Sequence, residues 1–321
     1  MCPRVGSIGL CGLVLVAMAL AVPAVAWAQA ASLDLLPNWK AGDIQTMELV
    51  RQREQTRGAE ETRRITTRVD IDIRVLAAGS DGSVVQWAFG EVRFDEPEQA
   101  KDPGVAELLG MAHRVRYELE VDPSGAIRQL RNWTEVRALA RGATARLLEQ
   151  LRQRGVTGQT RSAISERIGA LYSSEQQILS YSLREASLYH AAFGKRYELS
   201  TPITANERLP NALGGESFPA TTSFTLTRLD DAARRAVIEW KQTLDPAAAR
   251  RIMLKTMTDL AARMRRLTPS EADVPQMVIE GAGEVVADID TGWLKSLRQE
   301  RTARVGPSVQ VDTSTLTEKA R

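Results

Sequence analysis

The stretch from residue 65 to residue 75 alternates apolar and polar side chains, and this pattern constrains the fold more than any other feature of the sequence. The apolar members of the pattern are Ile65, Val69, Ile71, Ile73 and Val75. A period of two places successive side chains on opposite faces of a β-strand, so one face enters a core and the charged face meets water. The sequence therefore predicts antiparallel sheets with one solvated face.

A second copy of this pattern follows in the last third of the chain. Ile71–Trp87 aligns without a gap on Phe224–Trp240, and an Asp-Pro pair opens a predicted helix after each tryptophan, at Asp102 and at Asp245. Each half then continues with a strand, a tight turn and a returning strand. The turn residues are Asp122 with Gly125 and Asp290 with Gly292. We predict a tandem duplication of a strand-strand-helix-strand-strand unit.

The two halves are separated by a segment with helical periodicity. Val136, Ala140 and Ala143 fall on one face of a helix predicted from about Thr134 to Arg154. The fold class is therefore α+β, and the halves either fuse into one curved sheet or barrel-like core, or pack separately on their helices. The tail Ser308–Thr317 is interpreted as a last edge strand. The predicted regions are 1–30 (signal peptide), 31–133 (first repeat), 134–193 (helical segment) and 194–321 (second repeat).

The first thirty residues have the pattern of a secretory signal peptide. Arg4 is the only charge before the apolar run Ile8–Val25, and Ala28-Gln29-Ala30 supplies the small residues that signal peptidase requires. We expect cleavage after Ala30, which removes Cys2 and Cys11, and a periplasmic location with no transmembrane segment in the mature chain. The alternative is a retained anchor, since the apolar run is long enough to span a bilayer.

Charge and residue types exclude several functions. The 42 Lys and Arg residues less Arg4 leave 41, against 40 acidic residues, so no field of one sign recruits nucleic acid. With His113 and His190 alone, a multi-histidine zinc site cannot form. The sequence lacks a GxSxG motif to present a nucleophilic serine. We predict no catalytic residue, metal or cofactor; His190, near a helix end, is interpreted as a cation that interacts with the helix dipole.

Two groups of residues are candidates for ligand binding. Trp87 and Trp240 occupy equivalent places in the two repeats, and form either aromatic walls around a ligand or plugs of two cores; packing is the favoured interpretation. Met253, Met257 and Met264 share one face of a predicted helix, where they line an adaptable apolar pocket or fill a core. Core filling is again favoured.

The glycines of Gly281-Ala282-Gly283 precede a strand, so a nucleotide-binding loop is rejected.

The signal peptide, the start Trp39–Asp43, the charged alternating strands and the Asp/Gly turns together resemble bacterial secreted and periplasmic proteins of unknown function. The overall plan is also similar to that of periplasmic lipoprotein and lipid carriers. This resemblance implies a curved antiparallel sheet with helices against its concave face.

Three functional hypotheses follow. The first is an exported, soluble envelope protein with a non-catalytic binding or scaffolding role, whose partner is an unknown envelope protein. The second is a carrier of an apolar ligand such as a lipid or a lipoprotein acyl chain. A continuous apolar pocket of several hundred cubic ångströms would favour the carrier, and two solid cores would oppose it. The third, ranked below both, is a hydrolase that uses carboxylates alone and requires two buried acids facing each other.

Overall fold

The computed structural model describes residues 32–58, 60–96, 115–209, 211, 216–263, 267 and 269–320. Ala31–Arg321 forms one compact unit. Some predictions concern residues outside the described ranges. They are the signal peptide over 1–30, the helix start at Asp102, and the side chains of His113 and Met264.

The described chain contains both strands and helices. The strands are β1 (Ser32–Leu35), β2 (Ile44–Arg57), β3 (Glu60–Gly79), β4 (Gly82–Phe89), β5 (Arg93–Phe94), β6 (Arg116–Val121), β7 (Ile127–Leu130), β8 (Lys195–Glu198), β9 (Pro202–Leu209), β10 (Phe218–Asp230), β11 (Arg235–Leu244), β12 (Met277–Asp288), β13 (Leu294–Val305) and β14 (Ser308–Glu318). The helices are α1 (Trp133–Gln153), α2 (Gly158–Leu171), α3 (Glu175–Tyr181), α4 (Arg184–Ala191) and α5 (Pro246–Arg263).

One large antiparallel sheet organises the molecule. It contains 12 strands in the order β7-β6-β4-β3-β2-β14-β13-β12-β11-β10-β9, with β5 added beside β3. The sheet is not closed, because β7 and β9 are its two ends, and β1 pairs with β8 in a separate small sheet. The prediction of a β-rich α+β fold with antiparallel strands is confirmed. Of the predicted alternatives, the structure shows a single continuous sheet.

The prediction of an edge strand at the C-terminal end is wrong. β14 lies in the middle of the sheet and pairs along its length with β13 on one side and β2 on the other. Its polar side chains resemble those of an edge, but they face other polar side chains, such as Asp312 opposite Arg53 and Gln310 opposite Gln55. β14 thus joins two five-stranded meanders, β2-β3-β4-β6-β7 and β9-β10-β11-β12-β13.

The two meanders share an irregularity in their tryptophan hairpins. Trp87 pairs with Ile73, and the register shifts after Val75, two residues further along β3. Trp240 pairs with Phe224, and the register shifts after Leu226, again two residues further along β10. A β-bulge at the same offset bends both hairpins at equivalent places.

The return turns share a local mechanism. The Asp122 carboxylate accepts hydrogen bonds from the backbone N–H groups of Ser124 and Ala126. The Asp288 carboxylate does the same for the N–H groups of Asp290 and Thr291. Aspartate side chains commonly stabilise turns in this way. The prediction that the strand ends at Asp290 is therefore wrong by two residues: β12 ends at Asp288, and Asp290 lies within the turn, where it forms an ion pair with Arg234 at 2.7 Å.

The sheet curls so that the turn ends of distant strands converge. Gly125, between β6 and β7, and Gly292, between β12 and β13, lie six strand positions apart in the sheet. In a flat sheet with ~4.8 Å between strands this separation would be about 29 Å. Yet a Cβ atom on Gly125 would lie 3.2 Å from Pro37 Cδ, and one on Gly292 would lie 2.8 Å from Pro37 Cα. The segment around Pro37 therefore fills a narrow end of the curled sheet.

Buried apolar side chains form two separate clusters on the face of the sheet that packs against the helices, which we call the inner face. The main core takes residues from both meanders and from α1, α3 and α4. Its largest fully buried side chains include Trp87, Trp240, Tyr189, Tyr197 and Phe193. The second cluster lies where α5 covers β10 and β12; its buried members are Phe218, Ala220, Leu244, Ala249, Ile252, Met253 and Val274.

The start of α5 follows the sequence prediction. Asp245 precedes Pro246, and its carboxylate accepts hydrogen bonds from the N–H groups of Ala247 at 2.9 Å and Ala248 at 3.0 Å. This is an N-cap that satisfies free donors of the first turn, and proline at the first helical position needs no donor. The Asp-Pro prediction is confirmed for this half.

Candidate functional site

His190 lies in an aromatic part of the main core. Its Nδ1 lies 3.0 Å from the carbonyl oxygen of Gly125, so Nδ1 carries the proton and donates, while Nε2 has no hydrogen-bond partner. The rings of Trp39, Tyr189 and Phe193 surround it at 5.4–6.2 Å. Burial lowers the pKa of His190 to about 4, so the ring is neutral at pH 7. The prediction that His190 acts as a cation at a helix end is wrong, because α4 is buried along this side.

The two candidate tryptophans both lie in the main core. Trp87 is fully buried, and its ring makes an edge contact with Tyr189 at 5.4 Å between centroids. Trp240 lies across β12, where a Cβ atom on Gly281 would be 3.1 Å from the indole and one on Gly283 would collide with it. The glycines at these positions therefore leave the space that Trp240 occupies. Among the described residues neither indole N–H has a hydrogen-bond partner.

The candidate methionines lie elsewhere. Met253 is buried in the second cluster, Met257 packs against that cluster while partly exposed, and Met264 is outside the described residues. The structure thus places Trp87 and Trp240 in one cluster and Met253 and Met257 at the other, so these four side chains do not surround one ligand.

Beyond the main core the inner face changes from apolar to polar, and sequence reasoning missed this region. We call it the inner polar patch. Its members are Arg51 and Arg53 on β2, Asp312 and Ser314 on β14, Gln299 and Arg301 on β13, and Arg184 and Glu185 on α4. Cross-strand register aligns these side chains in two rows. One row pairs Arg51 with Ser314 and Ser314 with Gln299, and the other pairs Arg53 with Asp312 and Asp312 with Arg301.

Glu185 ties the start of α4 to the sheet. Its carboxylate accepts two hydrogen bonds from the Arg51 guanidinium, at 2.9 and 2.6 Å, and a third from the Ser314 hydroxyl at 3.1 Å. Burial of Glu185 opposes its charge, but Arg51 outweighs this effect and keeps the pKa of Glu185 below its ordinary value. A bidentate arginine pair of this kind fixes orientation as well as charge.

A second ion pair neutralises part of the remaining charge. Arg53 donates to Asp312 at 2.7 Å, and the Gln310 amide donates to the other oxygen of Asp312 at 2.6 Å. Both carboxylates of the patch are therefore already engaged, one with Arg51 and one with Arg53.

Arg184 and Arg301 remain without a direct partner. In the described part of the chain, neither guanidinium makes a hydrogen bond or an ion pair within 4.0 Å. Burial, and then the charge of Arg301, lower the pKa of Arg184 to about 10; burial likewise lowers the pKa of Arg301. Gln299 is 1% exposed, and both polar atoms of its amide lack a partner among the described residues. Buried polar groups normally find partners, so this cluster calls for a functional explanation.

The patch borders the second cluster. Arg301 pairs across the strands with Gly281 of β12. Ile279 and Met277 follow at alternate positions on the same face of β12, and both pack, partly buried, against the second cluster. Half-buried arginines and half-covered apolar side chains are therefore neighbours on the inner face.

A sequence signal for the patch exists. Inward positions switch from apolar to polar partway along each central strand, from Met47 and Leu49 to Arg51 on β2, and from Leu297 to Gln299 on β13. Each switch looks like an ordinary strand end when it is taken alone. Only the register between strands shows that the switches form one surface.

Two open cavities lie away from the patch. One, of about 230 Å³, is lined at the narrow end by residues that include Gln45, Trp293 and Glu318. The other, of about 360 Å³, lies between α1 and α2 and is lined by residues that include Arg141 and Tyr172. Both linings mix polar and apolar groups.

The described residues contain one buried acid, Glu185, whose partner is an arginine rather than a second acid. They form no group of three or more His, Cys, Asp or Glu side chains placed to hold a metal ion. In the same part of the chain, no helix combines the length and the apolar character needed to cross a membrane.

No known protein family matches the chain, and no curated protein matches it in sequence. Among solved structures the chain is similar to lipovitellin, in a structure that describes lipid–protein interactions, with a TM-score of 0.44 and 8% sequence identity. The match covers 88% of this chain and 25% of lipovitellin. The chain thus spans about a quarter of that protein, and the likeness is distant. The function proposed below is derived from this chain's own residues.

Proposed function

We propose that this is a non-catalytic binding protein of the bacterial periplasm, exported by a signal peptide over residues 1–30. Its ligand binds on the inner face of the sheet, at the inner polar patch and the adjoining second cluster. One observation carries the proposal: half-buried cationic groups without a partner lie beside apolar side chains that are incompletely covered. Ligand sites commonly combine apolar walls with a few convergent polar groups.

The energetics support a binding role for the patch. Charges and polar groups removed from water destabilise a protein unless they are paired. Arg184, Arg301 and Gln299 carry this penalty in the free protein, whereas Arg51 and Arg53 do not. Sites that sacrifice stability in this way are typical of functional surfaces.

We also propose that the two meanders arose by tandem duplication. Their identical strand order along the sheet, the bulge two residues after each tryptophan pair, and the aspartate-stabilised return turns support this origin. The patch then lies at the junction of the copies, where β14 contacts β2 and β13. A single copy would lack this surface.

Native mass spectrometry tests the proposed function. The full chain is expressed with its leader, purified from the periplasm without detergent, and analysed before and after organic extraction. We expect a bound species at defined stoichiometry that is lost in a Met257→Glu variant with an unchanged far-UV spectrum. Leu267→Glu is the matched control, since Leu267 is 95% exposed. A ligand-free mass, even after incubation with envelope lipids, would reject the proposal.

A second candidate is a carrier of a wholly apolar ligand that enters beneath α5. The partial exposure of Met257, Leu254 and Met277 favours it. The separation of the main core from the second cluster opposes it, because the ligand would have to displace part of α5. Co-purification of an uncharged lipid would support this candidate.

The proposed export is tested separately. Cell fractionation and N-terminal sequencing of the purified protein are expected to give a periplasmic protein that begins at Ala31. Retention of residues 1–30 in the membrane fraction would contradict this expectation.

A further inference from the structure

We infer that Arg184 and Arg301 bind an anionic oxygen group of the ligand, a phosphate or a carboxylate. This inference rests on the proposed function, because it names the ligand chemistry at the same surface.

The backbone brings the two arginines together. Glu185 hydrogen-bonds Ser314 of β14, so the first turn of α4 lies over that strand. Arg184 precedes Glu185 in the chain, while Arg301 pairs with Asp312, two residues from Ser314 on the same face of the sheet. The charge of Arg301 opposes the charge of Arg184 and lowers its pKa. The two guanidiniums therefore lie within interaction range on one side of the patch.

The protein neutralises these charges only in part: Asp312 attracts Arg301, and Glu185 and Asp312 attract Arg184, but neither carboxylate hydrogen-bonds these two guanidiniums. The patch holds arginines at 51, 53, 184 and 301 but only two carboxylates, Glu185 and Asp312, each already bonded to another arginine. An anion placed between Arg184 and Arg301 would relieve their repulsion and accept several N–H donors. Guanidinium groups suit phosphate and carboxylate because their donors match two oxygens at once.

Two further groups supply donors beside the arginines. Gln299 lies on the same face of β13 as Arg301, and its buried amide has no partner in the described structure. The cap residue of α4, Leu183, provides no side-chain acceptor for the first helical turn, in which the Glu185 carboxylate engages its own backbone N–H. The start of a helix favours an anion.

The apolar neighbours indicate that the anion is one end of a larger ligand. Ile279 and Met277 extend from the Arg301 position along the inner face of β12 toward α5. A free anion would use only the arginines, whereas an amphiphile with an anionic head would also cover these side chains. The geometry favours the amphiphile.

Binding of matched probes to the full-length mature protein tests the inference. The probes are dodecyl phosphate below its micelle concentration, dodecanol and inorganic phosphate, measured by isothermal titration calorimetry. We expect dodecyl phosphate to bind best, and Arg301→Gln or Arg184→Gln to weaken it by at least about tenfold, the effect of losing a charged hydrogen bond. Arg298→Gln is the matched control, because Arg298 is exposed on the opposite face of the same strand; we expect it to change the Kd by less than about twofold.

The stability of the variants provides an independent readout. Removing one of two like charges should leave the melting temperature of the ligand-free protein unchanged or higher, so a loss of binding cannot be attributed to unfolding. Arg184→Gln repeats the test on a different element.

The possible results separate the two proposals. The anion site would be overturned if Arg301→Gln and Arg298→Gln weakened the binding of dodecyl phosphate equally, or if neither substitution weakened it. If dodecanol bound tightly and Arg301→Gln did not change its Kd, the anion site would be overturned while the proposed binding function would stand. Binding of inorganic phosphate as tight as dodecyl phosphate, and dependent on Arg301, would support the anion site and identify a free anion as its source. Failure of every probe would overturn both proposals.

Discussion

The main core and the second cluster stabilise the same sheet in different ways. The main core contains fully buried aromatic side chains from both meanders and from α4, together with aliphatic side chains from α1 and α3, so it joins the two halves of the chain. The second cluster is smaller, lies at the β9 end of the sheet under one helix, and includes partly exposed methionine and leucine side chains. Regions with few buried contacts open at lower free energy than the rest. The proposed ligand surface thus lies where the more rigid region meets the less rigid one.

The largest expected loss of stability comes from removing an aromatic side chain of the main core. Replacing Trp87 by Ala removes a fully buried indole and is expected to lower the free energy of unfolding by about 3–5 kcal/mol. Urea denaturation followed by circular dichroism measures this loss. A loss no larger than that of a second-cluster variant would contradict the proposed difference between the clusters.

Acid is expected to destabilise the main core through His190. The pKa of His190 is lowered from 6.5 to about 4 in the folded protein, so the unfolded chain binds the proton more readily. Its contribution to stability is therefore complete above pH 6.5 and is lost as the pH falls from 6.5 to 4, by about 3 kcal/mol.

Urea midpoints measured across this pH range test the expectation. His190→Gln lacks the titrating ring, so its pH dependence between 6.5 and 4 should be flatter than that of the wild type, whatever its absolute stability. Parallel curves for the two proteins would show that another group titrates in this range.

The ion pair between α4 and the sheet is expected to have an intermediate effect. Glu185→Gln leaves Arg51 without its bidentate partner and should lower the free energy of unfolding by about 2 kcal/mol at pH 7. Glu149→Gln is the control, since Glu149 pairs with Arg152 on an exposed helix surface and should leave the urea midpoint unchanged. Equal effects of the two substitutions would show that the buried pair adds nothing beyond a surface pair.

The smallest expected effect is in the second cluster. Met257→Ala shortens a partly buried side chain and should lower stability by about 1 kcal/mol. Hydrogen exchange by mass spectrometry should show α5 exchanging faster than α4 in the wild type, and the substitution should widen that gap. Equal protection of α4 and α5 would remove the distinction between the two regions.

Much of the fold could be predicted from local sequence. The alternation in residues 65–75 predicts a strand whose odd positions point inward, and Val69, Ile71, Ile73 and Val75 are indeed buried. The capping of α5 by Asp245 follows from the same kind of local chemistry. These features depend on residues close in the chain, so the sequence carries them directly.

The candidate site could not be predicted in the same way. Ser308–Thr317 resembles an exposed edge because its side chains are polar, yet it pairs with β2, whose residues come more than 250 positions earlier. His190 resembles a helix-end cation until packing removes it from water. Arg184 and Arg301 are two among 42 lysines and arginines, and nothing near them in sequence distinguishes them from solvated residues.

The sequence by itself determined the kind and order of many of the strands, turns and helices, because backbone preferences and the alternation of apolar side chains act over a few residues. Only the tertiary structure decided which side chains lose their water and which of those find a partner. That outcome depends on the register of β2, β14 and β13 and on the position of α4 over them. The same arginine side chain is solvated on the outer face at Arg298 and is half-buried without a direct hydrogen-bond partner on the inner face at Arg301, because neighbouring strands and a helix replace water on one face only.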